Sequence, residues 1–111
     1  MRKRTILVVN DELGVQDWWA QILSEEGFRV LRAGNPGEAL KRLAYRPTVA
    51  ICKVRSPDPG SLWLAETIRD RCRATAVVLF DEDREPQDRD ELLASVRRAI
   101  GWNSQPAPAA H

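Results

Sequence analysis

The run Thr5-Ile-Leu-Val-Val9 constrains this chain more than any other stretch, because it is apolar and β-branched without alternation. A half-exposed strand would alternate, so a continuous run of this length predicts a central parallel strand covered on both faces. It stops at Asn10-Asp11-Glu12. Beyond it Val15, Trp18, Trp19, Ile22 and Leu23 recur at helical spacing, opposite Gln16, Asp17, Gln21 and Glu25. Gly27 stands where a helix ends in a left-handed turn.

The alternation then repeats. Phe28–Ala33 reads as a second strand. Asn35-Pro-Gly-Glu38 supplies a cap, a first-turn proline and a glutamate three residues on, which together open a helix. Val49–Cys52 is a third strand ending at Lys53, and Ser56–Gly60 a loop with two prolines. A third helix runs from about Leu62 to Cys72, and Ala76–Phe80 is a fourth strand. The charged stretch from Asp81 reads as a solvated loop up to Asp88, which with Glu91 forms a second capping box for a last helix ending at Gly101. Strands alternating with helices give right-handed βαβ units and a parallel sheet with helices on both faces. The expectation is a three-layer α/β/α, flavodoxin-like sheet over residues 1–101, followed by a flexible tail over 102–111.

Composition removes several functions. With 17 basic and 16 acidic residues in 111, no global field draws the chain to nucleic acid or anionic lipid. No apolar run approaches a membrane span, and no secretory signal is evident, so a cytoplasmic protein is expected. Cys52 and Cys72 form no CxxC pair, and the one histidine is His111, so free thiols rather than a metal site are expected.

At this point Ile6-Leu-Val-Val-Asn-Asp-Glu12, Gly27-Phe-Arg-Val-Leu31, Gly37-Glu-Ala-Leu40, Ile51-Cys-Lys-Val-Arg-Ser-Pro57 and Pro86 with Asp88–Ile100 resemble the receiver domain of two-component response regulators, the CheY-like fold. The resemblance implies a phosphoryl group on an aspartate at the end of the third strand. Mg²⁺ would be held by that aspartate and an acidic pair after the first strand. A hydroxyl at the end of the fourth strand and a lysine before a proline would bind the phosphoryl oxygens. In this chain the acidic pair is Asn10-Asp11, the phosphoacceptor position is Lys53, the hydroxyl position is Phe80, and Glu85 precedes Pro86.

An ammonium at Lys53 cannot attack phosphorus while protonated, and it puts positive charge where a divalent cation needs carboxylate oxygens. Unit charges about 4 Å apart interact by about 4 kcal/mol at an effective dielectric of about 20, so the substitution turns attraction into comparable repulsion. The expectation is therefore a degenerate pseudo-receiver: no metal, no cofactor, no enzymatic role and no aspartyl phosphate at this position. A Lys53–Asp11 ion pair would fill the pocket, whose other residues include Glu12 and, as a second carboxylate, Glu85; the alternative for the side chain is a Lys53 that snorkels to solvent. The alternative is a receiver still phosphorylated on Asp58 or Asp81.

The segment between Phe80 and the last helix is too short for the helix and fifth strand that the resemblance implies. Four strands in the order 2-1-3-4 and about four helices should result, with Ala76, Val77, Val78, Leu79 and Phe80 at an uncovered edge. Such an edge recruits partners. The expected partner is a signalling protein or a second copy, with a homodimer through this edge favoured in a bacterial signalling protein. Trp18, Trp19, Trp63 and Trp102 are read as core first, with an exposed Trp63 marking an interface.

Overall fold

In the computed structural model, which describes residues 3–54, 59–81 and 84–104, the four expected strands form one parallel sheet. These are β1 (Thr5–Val9), β2 (Arg29–Ala33), β3 (Val49–Val54) and β4 (Ala76–Asp81), in the order β2-β1-β3-β4. Four helices alternate with them: α1 (Leu13–Glu25), α2 (Pro36–Arg42), α3 (Pro59–Arg71) and α4 (Arg89–Ser104).

The strands are apolar on both sides because both faces are covered. Ile6, Val8, Val49, Ile51 and Phe80 pack with Trp19, Leu23, Leu92 and Val96 of α1 and α4. Leu7, Val9, Ala50 and Cys52 pack with Ala39, Leu64 and Ile68 of α2 and α3. The alternation of side chains along each strand assigns them to these two cores.

Several local signals act as the sequence predicts. Gly27 takes φ +92°, and its N–H donates to Ser24 O while Phe28 N–H donates to Leu23 O, the paired bonds of a Schellman stop. Asn35 Oδ1 accepts from Glu38 N at 2.9 Å, and Asp88 Oδ1 from Glu91 N at 2.9 Å. The return bonds of both caps reach one residue further back than a capping box requires. Glu38 accepts from Gly34 N, and Glu91 from Gln87 N. Replacing Asn35 by Ala should cost about 1 kcal/mol, read as a lower urea midpoint at unchanged slope.

Two expectations need correction, and one further element appears. Gly101 does not stop the last helix, which continues to Ser104, so the boundary at 101/102 falls inside α4; residues 105–111 lie outside the described set. Pro59 begins α3 rather than belonging to the preceding loop, as its fixed φ suits a first helical turn. A short 3-10 turn (Leu43–Tyr45) follows α2, where Arg46 at φ 50° reverses the chain.

Of the three tryptophans whose side chains are described only Trp19 is fully buried, stacked edge-on against Phe80 with centroids 5.8 Å apart. Trp18 lies toward solvent, because consecutive residues on a helix point about 100° apart and one site cannot hold both indoles. Trp63 is 50% exposed, so the core reading fails for it. The side chain of Trp102 lies outside the described residues. Among the described residues no helix is long and apolar enough to cross a membrane.

Candidate functional site

The carboxyl end of a parallel sheet is where an open α/β fold places its ligands. Here β1 and β3 are in register at Val9 and Cys52, and β3 and β4 at Lys53 and Phe80. That register sets Asn10, Lys53 and Phe80 side by side at one end of the sheet. Lys53 shares the face of Val49 and Ile51 by strand alternation, so it lies on the side of Trp19 and Phe80.

Asn10 is buried, and its Oδ1 accepts the Glu12 backbone N–H at 2.9 Å, while its Nδ2 has no hydrogen-bond partner. That bond turns the chain sharply after β1 and makes Glu12 the residue preceding α1. Glu12 gives α1 no side-chain cap. Its carboxylate turns instead to Lys53, whose Nζ donates to Glu12 Oε1 and also lies 3.1 Å from Glu85 Oε1. The Lys53 side chain is only 4% exposed, against 49% for Glu12 and 20% for Glu85. The ion pair expected with Asp11 is thus made with Glu12, one residue later, and Glu85 joins as anticipated. Asp11 itself is exposed and engaged elsewhere.

Burial works to lower the Lys53 pKa, but hydrogen bonding and attraction from Glu12 and Glu85 exceed it, and the ammonium titrates above its ordinary value. The lysine is therefore held charged. Cys52, on the opposite face, behaves otherwise. Burial pushes its thiol up to about 12 against a small opposing pull from Arg69, so it is an inert core side chain rather than a nucleophile.

Two further polar groups fix this end of the sheet, and the sequence reading did not single them out. Gln16 is buried, and its Nε2 donates to the carbonyls of Asn10 (2.9 Å) and Ala33 (3.0 Å), tying the ends of β1 and β2 to α1. Arg32 Nε donates to Gln16 Oε1 at 2.7 Å, and Arg32 also pairs with Asp17. A glutamine on an otherwise polar helix face gave no signal of this role, since periodicity assigned it to solvent. Pro86 is buried next to Glu85, and Phe80 fills its place against Trp19.

A divalent cation of the kind that the resemblance implies does not fit these residues. Asn10 Oδ1 is occupied by a backbone N–H, Asn10 turns an amide nitrogen toward the interior, and the nearby carboxylates of Glu12 and Glu85 already face an ammonium. Phe80 offers an anionic ligand no hydrogen bond. The arrangement pairs its one ammonium with two carboxylates and ties Glu12 after β1 and Glu85 after β4 to β3. Asp58 of the alternative reading lies outside the described residues, and Asp81 ends β4, where its carbonyl accepts from Arg84 N.

No protein-family profile matches the sequence. Solved structures do resemble the fold. A CheY-like response regulator receiver domain protein from Methanospirillum hungatei JF-1 superposes with a TM-score of 0.82 at 19% identity, covering 92% of this chain and 97% of that one. A sensor protein from Polaromonas sp. JS666 gives 0.80 at 21% identity, with 93% and 100% covered. The response regulator protein TrrA from Thermotoga maritima, in complex with Mg(2+)-BeF, gives 0.75 at 24% identity, with 86% and 98% covered. With the strand order and the helices on both faces, these likenesses show that the chain has the CheY-like receiver fold.

Proposed function

We propose that this chain is a pseudo-receiver in two-component signalling, a cytoplasmic, non-enzymatic interaction domain of bacterial type that works without phosphate at the usual position. The observation that carries this reading is the buried Lys53 ammonium between Glu12 and Glu85. In a working receiver, by the resemblance, a phosphoryl group and a metal would supply charges that hold the loops around the third strand. Here a resident cation supplies one, and the carboxylates the other. Such a domain holds one conformation and presents a fixed surface, so its output is docking.

The docking face favoured by the sheet is the β4 edge, whose residues Ala76–Leu79 are only partly buried. A second copy of the chain is the proposed partner. Trp63 and its neighbour Leu62, 50% and 52% exposed, add apolar surface on α3.

Incubation with acetyl phosphate and Mg²⁺, followed by intact-mass measurement, tests the reading. Unchanged mass is the expected result. A stable gain of one phosphoryl group, mapped to Asp58 or Asp81, would replace it with a receiver that uses a different carboxylate.

A further inference from the structure

The backbone of β4 divides into two sets. Ala76 N–H donates to Thr48 O, and the β3 register Val49↔Ala76 then directs the N–H and C=O of Ala76, Val78 and Phe80 toward β3. Those of Val77, Leu79 and Asp81 face outward. The Asp81 carbonyl is occupied by Arg84 N–H, which leaves the groups of Val77 and Leu79 as the pairing positions of the edge. Beside them lies a groove of about 710 Å³, bounded by Arg69 on the α3 side and by Ser95, Arg98 and Ala99 on the α4 side.

Charge is distributed unevenly along this edge. Arg69 lies in the last turn of α3, close to the start of β4. Arg98 lies nine residues into α4, about 14 Å along a helix that returns past a strand about 17 Å long, and so it also sits toward the strand's beginning. The other end closes with Asp81. No carboxylate is among the described residues lining the groove. One end is basic and the other acidic.

We infer that the partner on this edge is a second copy of the chain, joined by antiparallel pairing of the two β4 strands about a two-fold axis at Val78. In this register Val77 faces Leu79 of the partner subunit and Leu79 faces Val77 of the partner subunit, so both pairing positions in each copy are used in reciprocal bonds. Asp81 of the partner subunit comes opposite Thr75, at the end where Arg69 and Arg98 stand. A parallel strand would set like ends together, and a shift by two residues would direct into the ladder either the occupied Asp81 carbonyl or, in the other direction, the Thr75 N–H that already donates to Cys72 O. The small side chains of Ser95 and Ala99, one turn apart on α4, leave room for the incoming strand. The product is one continuous sheet of eight strands with its open edges at β2.

This inference rests on the docking face and the partner proposed above and adds the strand direction and the register. Sedimentation of the full chain over a micromolar to millimolar range tests it first, with a reversible dimer expected. Val77→Pro removes an outward N–H and no bond to β3, so it should weaken the dimer at least tenfold while leaving the circular dichroism unchanged. Val78→Pro removes an inward N–H and should disrupt the fold itself. Should Val77→Pro also fail to fold, Val78→Cys in a Cys72→Ser background decides the point. Opposed residues of a non-hydrogen-bonded pair have Cα atoms about 4.5 Å apart, within disulfide reach, so oxidation should give a covalent dimer. Val77→Cys in the same background should not cross-link, because the two copies of residue 77 are offset beyond that reach. A monomer at every concentration, or a dimer indifferent to Val77→Pro with no cross-link at 78, would overturn the inference. Neither result touches the reading of the Lys53 site, which the phosphodonor experiment decides.

Discussion

Replacing Lys53 by Met lowers the stability of this protein by about 2 kcal/mol at neutral pH, a fall in midpoint of about 8 °C for a domain of this size. Methionine keeps most of the side-chain volume, so the loss is of charge rather than of packing. Glu12 and Glu85 would then face each other across an apolar group with no cation between them. Full burial of both partners would raise the cost to about 3–5 kcal/mol, but Glu12 is half exposed and water offsets part of the loss. Differential scanning calorimetry of wild type and Lys53→Met measures it. A midpoint unchanged within error would mean that the ammonium is solvated and the pocket is not built around it.

The pH dependence separates this from a generic packing defect. The Lys53 pKa is raised in the fold, so its contribution is complete below the unfolded-state value near 10.5 and is lost as pH rises through the folded value. Wild type should therefore lose stability above about pH 10.5 that Lys53→Met has already lost, and the two should converge there. They should also converge in acid, where protonation removes the repulsion between the two carboxylates in the variant.

The second large effect is at Trp19. Truncation to Ala removes the largest buried side chain among the described residues and the partner of Phe80, for a cost of about 3–5 kcal/mol. That is a large share of the total stability of a domain this small, and the variant should be partly unfolded at 37 °C by near-UV circular dichroism. Trp19→Phe should cost much less. The indole Nε1 is buried without a hydrogen-bond partner, so its removal forfeits volume but no polar interaction. If Trp19→Phe proved as damaging as Trp19→Ala, an unseen polar contact of the indole would have to be invoked. Phe80 takes part in the same contact as a core side chain.

Much of this architecture is local and was legible along the chain. Gly27, Asn35 and Asp88 each act through their own backbone neighbours, so spacing alone identifies them. The unalternating apolar runs of β1 and β3 report burial on two faces, and the short connection after Phe80 limits the sheet to four strands. Lys53 at the end of β3 was legible for the same reason, since strand ends are local. Its partner was not. Asp11 and Glu12 are adjacent, and which of them turns inward depends on the bond from Glu12 N–H to Asn10 Oδ1 and on where α1 begins. Gln16 was missed on the same ground: its two acceptors belong to strands that come together only in the sheet.

The division follows from what each level of structure can encode. The order of residues determined the elements, their parallel arrangement and the presence of a cation at the sheet's carboxyl end, because periodicity, caps and turn chemistry act over a few residues. Only the tertiary structure decided that Glu12 and Glu85 share that cation, that Trp19 rather than Trp18 enters the core, and that Val77 and Leu79 turn their backbone groups outward. Those outcomes depend on distances between segments far apart in the chain and on the register of neighbouring strands, and no local pattern carries either.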